Sequence, residues 1–191
     1  MCQTVLLLGR VVTAGLLFLQ LAGGTVVPRL SFEQLTDTSE LVVSGTVTRS
    51  WAAWDSEHKY IWTHYELAAT SAYKGTPAPK FEFAEPGGEV EGRVMLIAGA
   101  VSYAPGDQVV VFLSRMPNRY LRTTGWAQGK YTVDTSGRLH ASAASGGDEY
   151  VLAGKPVLPG STLKSLDGMS VTELRQRIAA HLRVASAGKI Q

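Results

Sequence analysis

Between Leu41 and Tyr73 polarity changes with a period of two in two successive runs, and this constrains the fold more than any other feature of the chain. In the first run Leu41, Val43, Gly45 and Val47 share one phase, while Ser44, Thr46 and Thr48 occupy the other. A polar stretch, residues 54–59, intervenes before Ile61, Thr63, Tyr65, Leu67 and Ala69 resume the alternation. Such a pattern is that of a β-strand with one buried face. At about 3.3 Å per residue the run from Tyr60 to Tyr73 would span roughly 45 Å, more than twice a usual strand. It must bend, and the small Ala68-Ala69 pair is the predicted place. Long coiled strands joined by a polar hairpin suit a small closed barrel.

Further strands follow. Phe81 and Phe83 share a face before Pro86, Gly87 and Gly88 turn the chain, and residues 93–99 and 108–113 read as the next two strands. In the second of these, Val109 to Leu113 is apolar in both phases, which demands cover on both faces and places the strand at the centre of the core. Asp134 to Gly137 reads as a hairpin turn between two short strands. Residues 141–149 and 153–162 are rich in small residues, glycine and proline and read as loops.

Two helices are signalled by capping boxes, in which a hydroxyl and a carboxamide or carboxylate three residues later satisfy two unpaired backbone donors. Ser31 and Gln34 open a short helix. Ser170 and Glu173 open a second, whose stripe of Val171, Leu174, Ile178 and Leu182 predicts docking on the sheet, with His181 in its last turn beside the negative end of the helix dipole.

The first residues have the order of an export signal: Arg10, then an uncharged apolar stretch from Val11 to Leu21, then Ala22, Gly23 and Gly24. Cleavage is predicted near Gly24. The sole cysteine, Cys2, would leave with this leader, so the mature chain would hold no disulfide, thiolate nucleophile or lipidated cysteine. Secretion or delivery to a periplasm is expected, with no stable membrane span after cleavage. With 18 basic against 16 acidic residues the net charge of +2 supplies no field that would draw nucleic acid.

No catalytic constellation emerges from the sequence. Gly125 to Tyr131 lacks both the four-residue spacing and the hydroxyl of a phosphate loop, and its glycines read as turn or bulge positions. No serine-elbow pattern is present. The histidines at 58, 64, 140 and 181 are too widely spaced for a local metal signature, and a site built from Asp55, His58 and His64 lacks an evident further ligand. Glu85, Glu89 and Glu91 read as a solvated turn. No cofactor is expected. The most suggestive group is aromatic: Trp51, Trp54, Tyr60 and Trp62, with His58, surround the first hairpin. Trp62 lies opposite in phase to Ile61 and Thr63 and so faces away from the core. It either packs beneath a terminal helix or belongs to an exposed aromatic platform at a loop, where small barrels make ligand contacts.

The segments Glu40 to Thr48, Tyr73 to Phe83 and Tyr103 to Leu113 together resemble the netrin-like modules built on an oligonucleotide/oligosaccharide-binding (OB) barrel, and are similar to exported bacterial proteins of comparable length. The resemblance implies a fold and a binding role. Tissue inhibitors of metalloproteases, in the same group, act through an amino-terminal cysteine, and the mature chain has none, so that mechanism does not transfer. The expected organisation is a signal peptide (1–24), a helical segment (25–40), an all-β OB-like barrel (41–152), a linker (153–168) and a carboxy-terminal amphipathic helix with its tail (169–191). The expected function is a non-catalytic binding module for an extracytoplasmic protein or glycan, through Trp51, Trp54, His58, Tyr60 and Trp62. The alternatives are a secreted hydrolase with a dispersed site and an envelope structural or assembly protein.

Overall fold

The computed structural model describes residues 29–141 and 166–187; the predicted leader and most of the predicted linker lie outside them. Strands β1 (Leu41–Trp54), β2 (Ile61–Lys74), β3 (Lys80–Pro86), β6 (Gln108–Arg115), β7 (Leu121–Thr123), β8 (Lys130–Val133) and β9 (Leu139–Ala141) form one antiparallel sheet, with order β3-β2-β1-β6-β8-β9. β7 also pairs with β6, ahead of β8. Strands β4 (Gly88–Val90) and β5 (Arg93–Met95) form a separate ribbon.

The period-two reading holds for the long strands. Leu41, Val43 and Val47 of β1 join Tyr65 and Leu67 of β2 in the inner core, together with Val109, Val111 and Leu113 of β6. Val110 and Phe112 of β6 point the other way, into a second core beneath the helices. β6 is therefore covered on both faces, as five consecutive apolar residues require. The β1–β2 pairing is irregular at three points, with Tyr73 and Thr70 as extra residues in β2 and Thr48 in β1, and bulges of this kind bend the strand that carries them. Gly45 sits where a Cβ would collide with the carbonyl oxygen of Ala68, so the strands approach closely beside the Ala68-Ala69 pair.

Both capping boxes form. Ser31 Oγ accepts from the N–H of Gln34 (3.1 Å), whose side chain accepts from the N–H of Ser31 (2.9 Å), opening α1 (Phe32–Thr38). Ser170 and Glu173 do the same for α2 (Val171–Ala187). Leu174 and Ile178 bury against Val110, Phe112 and Tyr131. His181 lies more than a turn before the helix end, contrary to its predicted place, and bonds Asp37 of α1 at 2.7 Å. The segment before α2 also covers one sheet edge: Leu139 N–H donates to Met169 O (2.9 Å) and Gly168 N–H to Leu139 O (2.7 Å).

The expected closed barrel does not form. The edge strand β3 comes against β7, which branches from β6 off the main strand order and runs in the same direction, but no ladder pairs them. The gap is crossed instead by a side chain, Glu85. Its Oε1 accepts from the N–H of Thr123 (2.7 Å) and its Oε2 from Nε of Arg122 (3.2 Å). Glu85 is only 1% exposed, which overturns its reading as part of a solvated turn. Residues 93–99 depart from expectation too. Only Arg93–Met95 is strand, and it leaves Val94 (60%) and Leu96 (89%) exposed because the ribbon lies outside the main sheet.

Candidate interaction surface

The extra residue Thr48 resets the phase of β1, so that beyond it Arg49, Trp51 and Ala53 stand opposite Glu66, His64 and Trp62. Directly opposed residues share a sheet face. Trp51 and His64 stack, with centroids 5.4 Å apart and planes 10° apart, and the Arg49 guanidinium lies 4.6 Å from the centre of the Trp51 ring. Tyr120, in the turn that leads into β7, completes the row. Its ring meets His64 edge-on at 5.2 Å and Trp62 at 5.3 Å. Arg49, Trp51, His64, Tyr120 and Trp62 thus form a continuous, partly exposed surface outside the curl of the sheet. Trp62 packs on Tyr120 and stays partly exposed, which favours the platform over the helix-covered reading.

The five residues predicted from sequence do not form one site. Trp51 and Trp62 share the outer face. Trp54, opposite Ile61, lies on the other face, where it stacks on His58 (6.2 Å) and has the Arg93 guanidinium 5.9 Å away. Tyr60 is 56% exposed at the hairpin end. His58 and His64 therefore serve different faces, and no group of three or more potential metal ligands occurs among the described residues.

Beside the aromatic row, between β3 and the β6–β7 turn, lies a cavity of about 210 Å³ lined by His64, Glu82, Phe83, Ala84, Tyr120 and Leu121, with Arg119 at its rim. Arg115 at its margin is held by Glu40 in a bidentate pair (2.6 and 2.9 Å). Arg119 turns through a left-handed backbone conformation (φ 70°), and its side chain forms no ion pair among the described residues. Burial lowers the His64 pKa, opposed by the nearby Glu82 carboxylate. His64 makes no hydrogen bond to a serine or an acid among the described residues, so the pairing a proton relay needs is not formed there.

The sequence reading missed Arg49 and Tyr120. Arg49 and Trp51 share a face by alternation, but that face is the outer one only because of the extra residue at Thr48, and Tyr120 arrives from a turn more than fifty positions away in the chain. Glu85 was missed because Pro86, Gly87 and Gly88 beside it signal a turn. No family model matches the chain, and no match is found among curated proteins or solved structures.

Proposed function

We propose that the chain is an exported, non-catalytic protein-binding module of OB-like type, which meets its partner through Trp51, His64, Tyr120 and Trp62 with Arg49 at one end. The observation that carries this reading is the partly exposed aromatic row itself, since tryptophan, tyrosine and arginine dominate the energetic centres of protein interfaces. A protein partner is favoured over a glycan because Trp51 is stacked by His64 and overlaid by Arg49, and Trp62 is met by Tyr120. Little ring face is left for a pyranose to lie on, whereas the edges of the rings suit a side-chain surface. The OB-like part of the reading is supported by an antiparallel sheet in which the edge strand β3 comes back against β7 through Glu85, as in a partly open barrel. Export is supported by the order of Arg10, the apolar stretch and the small residues at 22–24.

The test is affinity capture from the extracytoplasmic fraction with quantitative mass spectrometry. Trp51→Ala and Trp62→Ala should each lose the same captured proteins, while Trp54→Ala on the opposite face retains them. Equal capture by all three variants and the parent removes the aromatic row as the contact surface.

A further inference from the structure

The backbone of β3 points to the form of the partner. In an antiparallel ladder every second residue bonds to the neighbouring strand. Ala69 N–H donates to Pro79 O and Gly87 N–H to Ile61 O, both at 2.8 Å. With the register Leu67↔Phe81, Tyr65↔Phe83 and Thr63↔Glu85, those three β3 residues complete the bonds to β2. Lys80, Glu82 and Ala84 therefore turn their N–H and C=O groups away from β2, where no strand pairs with them; Ala84 is buried, while Lys80 and Glu82 are exposed. Pro86, next in that phase, has no N–H to offer, as suits an edge. The opposite edge of the sheet, at β9, is covered by the chain's own residues 168–169.

We infer that the exposed edge of β3 at Lys80 and Glu82 receives an extended segment of a partner protein as an added strand. This rests on the reading of the chain as a protein-binding module and specifies how the partner is held. Main-chain bonds to Lys80 and Glu82 supply the register, and the added strand ends before Ala84, which is buried where Glu85 ties β3 to Thr123. The 210 Å³ cavity flanks this edge and takes one apolar side chain against Phe83, Ala84 and Leu121. Arg119 at the rim, without an ion-pair partner among the described residues, selects an acidic residue in the incoming segment. A second copy of this chain fits less well. Antiparallel pairing of two β3 edges about Glu82 would set two carboxylates directly opposite each other, a destabilising arrangement.

The test uses a defined peptide, acetyl-Thr-Val-Thr-Leu-Asp-Val-Thr-amide, titrated into isotope-labelled protein while amide exchange is followed by NMR. Saturable binding should slow exchange at Lys80 and Glu82 by about tenfold or more, as an added ladder bond does. Glu82→Pro removes one outward N–H without touching a bond to β2 and should abolish binding. Glu82→Gln keeps that N–H and should bind. The peptide titration reads the edge and the affinity capture reads the aromatic row, so a failure of the aromatic surface is read separately from a failure of the edge. Unchanged exchange on titration, equal binding by Glu82→Pro, or a concentration-dependent dimer that itself protects these amides would each overturn the inference.

Discussion

The Glu85 carboxylate accepts the backbone N–H of Thr123 at 2.7 Å across a gap that no strand ladder spans. Its other oxygen takes Nε of Arg122, whose guanidinium lies 3.8 Å from the centre of the Trp126 ring, and Thr123 Oγ1 meets the Tyr103 hydroxyl at 2.6 Å. One side chain thus does locally what a ladder would do along a whole strand. The same contact fixes β7, and through it the position of Tyr120 in the aromatic row.

Removing this carboxylate leaves the Thr123 amide and a largely buried guanidinium without their acceptor. Glu85→Ala should destabilise the fold by about 3 kcal/mol, in the range for breaking a buried pair by deleting one partner. Glu85→Gln keeps an oxygen for Thr123 and should lose about half as much. Burial raises the Glu85 pKa above 4.5, against the opposing pull of the Thr123 and Arg122 donors. The folded state therefore binds more protons than the unfolded state just above pH 4.5, and this group's contribution to stability falls as pH rises through that window. Urea unfolding at several pH values should show the advantage of the parent over Glu85→Gln shrinking from pH 4.5 upward. An advantage that grows with pH would contradict it.

His64 acts in the opposite sense. Burial between Trp51 and Tyr120 holds its pKa below the ordinary 6.5. The unfolded chain binds the proton more readily, so this contribution is complete above pH 6.5 and is lost as pH falls through 6.5 toward the lower folded value. His64→Gln should reduce the loss of stability between pH 7 and pH 5 measured by denaturant unfolding. An unchanged pH dependence would contradict the partial burial of His64 between Trp51 and Tyr120.

Tyr131 is fully buried beneath α2, and its hydroxyl has no hydrogen-bond partner among the described residues. An unsatisfied buried hydroxyl costs stability, and removing it while keeping the ring should recover some. Tyr131→Phe should raise stability by up to about 1 kcal/mol. A loss of similar size in thermal or urea unfolding would show that the hydroxyl has a partner.

The close crossing at Gly45 gives a local test of the strand geometry. A Cβ there meets the carbonyl oxygen of Ala68 on the facing strand, which cannot retreat without breaking the β1–β2 pairing. Gly45→Ala should cost about 1–3 kcal/mol, the usual penalty of overpacking. An unchanged unfolding midpoint would mean that the strands part more widely than described.

What the sequence revealed followed from short-range chemistry. Alternation in β1 and β2, the doubly apolar run in β6, and the capping boxes at Ser31 and Ser170 depend on neighbours within a few residues, and all appear in the fold. What it hid depends on partners far apart in the chain. Glu85 looks like part of a polar turn until Thr123, 38 residues later, is brought against it. Trp51 lies in the phase of Leu41 and Val47 until the extra residue Thr48 reverses that phase and turns it to the outer face, leaving Trp54 on the other. Closure was over-read for the same reason: alternation dictates a curled sheet, whereas whether its ends pair depends on how β3 and β7 meet.

The most direct test of this account is residue-resolved amide exchange along β3 in the free protein. Exchange should alternate, slow at Phe81 and Phe83, which bond to β2, and fast at Lys80 and Glu82, which face the open gap. Uniformly slow exchange at all four would mean that a ladder to β7 closes the sheet, and both the Glu85 clasp and the receptive edge would be contradicted.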